Sequence, residues 1–193
     1  MSIKILGGLA KGQTLLVPKG DLIRPTSVML RRKIFDARQD LSGFNFYDIC
    51  AGSGAVALEA LSRGADSVTL VEKNSKVFSL TKTNIQTIKK SSSDLGDTNL
   101  IKGDGLKWLE SFLQKYDSFS SDEKESTILF IDPPYEIHSF YEKAFELIKA
   151  VNFIGEVWIE SDSQKGLKKD EIEKSFESIK TYSQGTSFIL IWR

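Results

Sequence analysis

From Phe44 onward the apolar positions alternate between short continuous runs and longer amphipathic ones. The short runs, Phe44 to Ile49, Ser67 to Val71, Asn99 to Lys102, Thr127 to Ile131 and Glu156 to Ile159, predict strands. Between them, Ala55 to Arg63, Ser75 to Lys89, Leu106 to Leu113 and Ser139 to Val151 predict helices. Parallel strands need crossover connections, so this alternation predicts an α/β fold: a parallel sheet with helices on both faces. The tail breaks the rhythm. Ser175 to Tyr182 and Thr186 to Trp192, joined at Ser-Gln-Gly, predict an antiparallel hairpin that completes the sheet. The polar stretches "KSSSDLGD" and "KYDSFSSDEKES" predict surface loops, and no internal repeat is present.

Ahead of the alternation, Ile3 to Leu6 and Thr14 to Val17 flank a Gly-rich turn and predict a small hairpin. After "IRPT", Thr26 or Ser27 can cap a helix carrying Leu30, Ile34 and Phe35 to about Arg38. Residues 1–40 therefore form an arm, and 41–193 the main domain. Charge reinforces the division. Met1 to Arg38 holds eight Lys/Arg against Asp21 and Asp36, a net +6 that leaves −6 on the rest of a chain of zero net charge. A basic arm on an acidic body suits a polyanionic partner, although a solvated basic surface has the same composition.

A chain of 193 residues, 40% hydrophobic and 27% charged, has the make-up of one globular domain with an appendage. No apolar run approaches the roughly 18 residues of a membrane span, and Met1 to Gly20 has lysines and glycines where a signal peptide has an apolar stretch. Cys50 is the single cysteine and His138 the single histidine, which excludes an internal disulfide and a Cys- or His-based metal site. A cytoplasmic protein is expected.

The candidate chemistry lies at strand ends. In "YDICAGSGAVALEALSRGA", Asp48 closes a strand and Gly52-Ser53-Gly54 forms the turn into a helix, where glycines admit a ligand close to the backbone. Glu72 ends the next strand some 20 residues on, where an acid can accept from ribose hydroxyls, and Asp104 ends the third. Each acid alone has the alternative role of a helix cap. Ala57 stands three beyond Gly54, a spacing the dinucleotide fingerprint also tolerates, so the glycines alone leave NAD open. The fourth strand, "ILFIDPPYE", separates the readings. Its two prolines stiffen a tip that offers a carboxylate, carbonyls and a ring. An exocyclic amine has two hydrogens to give such acceptors, and hydride transfer needs none of them.

This combination resembles the Asp-Pro-Pro-Tyr amino-methyltransferases. "KILGGLAKGQTLLVPKG", "IRPT" before an Arg-bearing helix, "DICAGSGAVALEALSRGA", "LVEK", "GDGL" and "FIDPPY" together resemble the bacterial 16S rRNA guanine-N2 methyltransferase family. The likeness runs from Ile3 to Tyr135 and, more loosely, over the terminal strand pair. It implies a Rossmann-like class I methyltransferase with a seven-stranded, mostly parallel sheet, moving a methyl from S-adenosylmethionine to the N2 amine of one guanine.

By matching positions, the resemblance implies that Asp48, Ala51, Gly52, Ser53 and Gly54 surround the methionine part of the cofactor. Glu72 and Lys73 would meet the ribose, and Asp104 and Gly105 the adenine. Asp132, Pro133, Pro134 and Tyr135 would hold the guanine, and Lys11, Arg24, Thr26 and Arg31 would contact RNA. The implied partner is 16S rRNA or the small ribosomal subunit, with no DNA, membrane or metal and a monomeric chain. Val28-Met29 replaces the family's usual Asp-Arg after Arg-Pro-Thr-x, with Arg32 and Lys33 adding charge nearby, and Cys50 replaces a usual Phe. The insert Gln114 to Ser126 is longer than the family pattern. Two other readings share these features: a DNA adenine-N6 or other amino-methyltransferase, and a non-catalytic RNA-binding module of ribosome assembly.

Overall fold

The computed structural model describes residues 2–18, 26–174, 176 and 178–193. The arm opens with two antiparallel strands, β1 (Ser2–Lys4) and β2 (Thr14–Leu16), followed by α1 (Val28–Ala37). Of the two candidate caps, Ser27 caps α1, its hydroxyl accepting the Leu30 N–H at 3.0 Å. Then come β3 (Asn45–Asp48), α2 (Ala55–Ser62), β4 (Ser67–Glu72), α3 (Ser75–Lys89), β5 (Asp97–Lys102) and α4 (Gly105–Tyr116). The short α5 (Ser121–Glu125) precedes β6 (Thr127–Ile131), α6 (His138–Lys149), β7 (Glu156–Asp162), α7 (Lys169–Glu173), β8 (Ser178–Gln184) and β9 (Ser187–Trp192).

The sheet has seven strands in the order β5-β4-β3-β6-β7-β9-β8. β3 pairs in parallel with both β4 and β6, so the strand order reverses there and opens a crevice at the carboxyl ends. β9 is antiparallel to both its neighbours. The β8–β9 turn places Gly185 at φ 61° in its first central position, where a two-residue hairpin loop of this hand favours glycine.

Two departures from the pattern have clear causes. The expected loop "KYDSFSSDEKES" contains α5, because Ser120 and Glu123 form a reciprocal capping box, the Ser-x-x-Glu signature of a helix start. β7 continues three residues past its apolar core, since Glu160, Ser161 and Asp162 pair with Ile189, Phe188 and Ser187 of β9. Ladder partners override side-chain polarity there.

Side-chain alternation divides the core in two. Phe46, Val68, Leu70, Ile128, Phe130 and Trp158 face α1, α2 and α3, while Leu129, Ile131, Val157 and Ile159 face α4 and α6. The first layer also takes in Ile5, Ala10 and Leu15 of the arm and Leu30, Ile34 and Phe35 of α1. Phe35 and Phe46 meet the buried Trp158 ring at centroid distances of 6.0 and 5.6 Å.

A buried polar joint supplements that packing. Glu59 of α2 is fully buried and accepts the Leu6 and Gly7 N–H groups at 2.8 and 2.9 Å, and Arg63 Nε at 2.9 Å. A carboxylate taken from water needs such compensation, and removing it leaves Arg63 as an uncompensated buried charge. Glu59→Ala should therefore cost roughly 3–5 kcal/mol in urea unfolding. Lys143→Ala, which breaks an exposed pair with Glu146, should cost under about 1 kcal/mol.

Candidate active site

A cleft of about 1390 Å³ opens at the carboxyl ends of the parallel strands. Its wall contains Asp48, Ala51, Gly52, Ser53, Glu72, Lys73, Asp104, Gly105, Asp132, Pro133, Pro134 and Tyr135, drawn from four different strand ends. Gly54 stands behind the wall. It takes the left-handed conformation at the start of α2 (φ 77°), and a Cβ there would meet Leu70 at 2.9 Å. Its glycine is required by the turn and by packing against β4.

The Gly52 loop is held from three directions. Ala51 N–H reaches the Val71 carbonyl at 3.0 Å, and Gly52 N–H reaches Glu72 Oε2 at 3.0 Å. Asn84 of α3 donates to the Ser53 and Leu16 carbonyls, both at 2.9 Å, and accepts the Leu16 N–H at 2.8 Å. Both amide hydrogens of Asn84 are used, which ties the arm's β2 to the Gly52 turn. Gly105 permits another close approach: a Cβ there would stand 2.2 Å from the Ile49 carbonyl.

The acids differ in what they already do. Asp104 is the helix cap of α4, accepting Leu106 and Lys107 N–H groups at 3.1 and 3.3 Å, and it pairs with the exposed Lys73 at 3.3 Å. Burial opposes ionisation, but these bonds and the lysine together hold its carboxyl below the usual range. Glu72 accepts Asn74 N–H at 2.6 Å as well as Gly52, yet burial keeps its pKa raised. Asp48 is almost fully buried, and burial pushes its carboxyl up to about 7. Cys50, half-buried in the cleft wall, has its thiol pushed upward by burial first and then by Asp48, Asp132, Glu72 and Asp104. Asp48, Glu72, Asp104 and Asp132 all line this cleft. A cleft so furnished favours a ligand with positive charge.

Beyond β6, Asp132 is half-buried in the wall, and the Pro134 carbonyl accepts Ile137 N–H at 2.9 Å. Tyr135 is 6% exposed and donates its hydroxyl to Glu160 Oε1 at 2.9 Å. Sequence reasoning misses Glu160 because it lies one residue beyond the apolar part of β7. A charged residue continuing that run is the available signal. Phe140, whose Cζ lies 3.3 Å from where a Gly105 Cβ would be, also lines the cleft and carries no sequence signal.

The residues expected to touch RNA are distributed differently. Lys11 is exposed, and Arg24 lies outside the described residues. Thr26 is buried, lines the cleft, and donates to Glu160 Oε2 at 2.7 Å. Arg31 is fully buried, with its guanidinium on the Lys4 and Ala55 carbonyls at 2.6 and 3.4 Å, so no phosphate reaches it in this structure. Its place on the inner stripe of α1, one turn before Phe35, explains the burial. The exposed cations of α1 are Arg32 and Lys33.

Known proteins share this sequence pattern and this fold. A family model described as "Conserved hypothetical protein 95" matches residues 3–193. "Ribosomal RNA small subunit methyltransferase D" of Escherichia coli (strain K12) is 28% identical over 169 residues, 86% of this chain and 77% of that protein. A hypothetical protein of Thermus thermophilus superposes with a TM-score of 0.72 at 25% identity, covering 99% of both chains. The METTL16 MTase domain superposes with a TM-score of 0.65 at 20% identity, covering 92% of this chain and 72% of that one, a likeness of fold.

The Asp48 carboxyl gives a stability test. Its folded pKa of about 7 stands above the ordinary value of 3.8, so as pH rises between these values the unfolded chain releases a proton that the folded one keeps. Stability of the ligand-free protein should fall across that window and level off above it. Asp48→Asn removes the buried charge. It should be more stable than the parent at pH 8 by roughly 2–4 kcal/mol, and nearly equal to it at pH 4, in urea titrations at the two pH values.

Proposed function

The chain belongs to the Conserved hypothetical protein 95 family, and from that premise we propose that it is an rRNA methyltransferase. It would transfer a methyl from S-adenosylmethionine to the N2 amine of a guanine in small-subunit rRNA. The observation that supports this most is the meeting, in one cleft, of the Gly52 turn, Glu72, Asp104 and the Asp132-Pro133-Pro134-Tyr135 tip. The relative from Escherichia coli is named for small-subunit rRNA methylation.

The residues fit the cofactor chemically. Asp48, Glu72, Asp104 and Asp132 in the wall suit a ligand bearing a sulfonium and an ammonium, and the cleft is large enough for a nucleoside with an amino-acid tail and an acceptor base. Asp48 and the Ala51 to Gly54 turn would hold the methionine end. Glu72 and Lys73 would meet the ribose, and Asp104 and Gly105 the adenine. When bound, the cofactor supplies an electrophilic methyl.

The chain's own contribution is position and electrostatics. A guanine N2 is a weak nucleophile because its lone pair is conjugated with the ring. Asp132 and the Pro133 carbonyl would accept its two hydrogens and aim the lone pair at the methyl, and the prolines keep those acceptors stiff. Tyr135 would form a wall for the base, which must leave its stack to enter. Lys11, Arg32 and Lys33 on the arm would meet phosphates, contacts that position without reading sequence. Arg31 and Thr26 would hold the arm in place, and Arg24 would add a further phosphate contact.

Incubation with labelled S-adenosylmethionine and small-subunit rRNA or subunits should give N2-methylguanosine on nucleoside analysis. Label in DNA adenine, or none with any ribosomal intermediate, would sink the reading. Asp132→Ala should lower turnover on the order of 10²-fold or more while cofactor binding, followed calorimetrically, persists. Unchanged turnover would remove Asp132 from the mechanism.

A further inference from the structure

We infer that Glu160 is a positioning residue that locks Tyr135 and Thr26 into one unit, so that the wall offered to the acceptor base is set by how α1 is seated. The inference rests on the proposed methyl transfer and concerns a residue behind the site. Glu160 is 1% exposed, and its side chain does not line the cleft, so it acts through the groups that do.

The geometry is a fork. Oε1 accepts the Tyr135 hydroxyl at 2.9 Å, and Oε2 accepts the Thr26 hydroxyl at 2.7 Å. Tyr135 and Thr26 both line the cleft, one from the catalytic tip and the other from the residue just before the α1 cap. The Glu160 backbone carbonyl accepts the Tyr141 hydroxyl at 2.9 Å, which steadies the fork from α6. Strand register sets its place. Ile131 of β6 pairs with Ile159 of β7, so β6 ends and Asp132 departs from the sheet beside Glu160, which β7 carries on in its ladder with β9.

Chemistry makes this carboxylate hard to replace. A threonine and a tyrosine hydroxyl each have one hydrogen to donate, and a carboxylate is the side chain that offers two equivalent acceptor oxygens and no hydrogen. Glutamine keeps the shape but turns one arm of the fork into an amide donor, to which a hydroxyl can offer a lone pair but not its hydrogen. One hydroxyl then loses its acceptor inside the protein, where an unmet hydrogen bond is costly. A Tyr135 ring that has lost this bond can still fold against its neighbours, but its hydroxyl no longer anchors it to Glu160 and its orientation toward the base is held less firmly. A change at Thr26 reaches the tip by the same route.

The test is a mutant cycle with two independent readouts. Glu160→Gln should lower kcat about tenfold or more while leaving cofactor affinity within about twofold, because misplacement of an acceptor acts on turnover. Adding Tyr135→Phe to Glu160→Gln should lower kcat by less than about a further twofold, since both changes cut the same link. Hydrogen exchange of the purified protein supplies the second readout and needs no activity. Thr26→Val should speed exchange of the 132–137 peptide, far along the chain from the substitution, and Glu160→Gln should abolish that difference. Exchange altered only near residue 26, effects on kcat that multiply, or a Glu160→Gln enzyme with parental kcat would each overturn the inference. A parental protein that methylates no ribosomal substrate would overturn the proposed function instead, and the exchange experiment would still decide the role of Glu160. Should Glu160→Gln fail to fold, the remote effect of Thr26→Val on residues 132–137 decides alone.

Discussion

The pairing of β3 with β6 is the constraint on which the site depends. Asp48 lies opposite Phe130 in that ladder, so the Gly52 turn and the Asp132 tip emerge on the same edge although α2, β4, α3, β5, α4 and α5 intervene in the chain. Because the strand order reverses at this pair, the helices that follow leave to opposite faces and a crevice stays open between them. Slipping the pairing by one residue would send Phe46 and Phe130 to the wrong layer. The core therefore enforces the register, and the register assembles the site.

The same edge concentrates charge that folding alone would avoid. Asp48, Glu72 and Glu160 project to the α1 and α2 side of the sheet and are largely buried. Glu72 and Glu160 find hydrogen-bond donors in the Gly52 turn and in the Tyr135 and Thr26 hydroxyls, and so become struts of the cleft wall. Asp48 is satisfied less well, its Oδ1 accepting the Cys50 N–H at 3.4 Å, and burial raises its pKa. The arm belongs to this arrangement. Glu59 grips its backbone, Asn84 joins Leu16 to Ser53, and Arg31 reaches the Ala55 carbonyl, so three polar links run from the arm to the Gly52 turn and its helix.

Much of this was legible because local rules and tertiary needs agreed. β6, buried on both faces, reads as an unbroken apolar run, and the Asp-Pro-Pro that ends it cannot continue a ladder. The glycine turn and the acids at the ends of β4 and β5 follow the same logic. Legibility failed where a residue's surroundings, rather than its type, decide its role. Arg31 and Arg32 are neighbours in a basic segment, yet one is fully buried and the other exposed, since the inner stripe of α1 passes through Arg31. Glu160 falls just past the strand expected over Glu156 to Ile159, and only pairing with β9 shows that the strand goes on.

The chain by itself determined the alternation of strands and helices, the turn chemistry at Gly52 and the stiff acceptor tip after β6, because each follows from backbone preferences and side-chain period over a few residues. Tertiary structure alone decided which charges face water and which become joints. Burial and hydrogen-bond partners are properties of elements brought together from distant parts of the chain. The fork at Glu160 shows this best: its three elements, the start of α1, the tip after β6 and the end of β7, meet only because the sheet order places them at one edge.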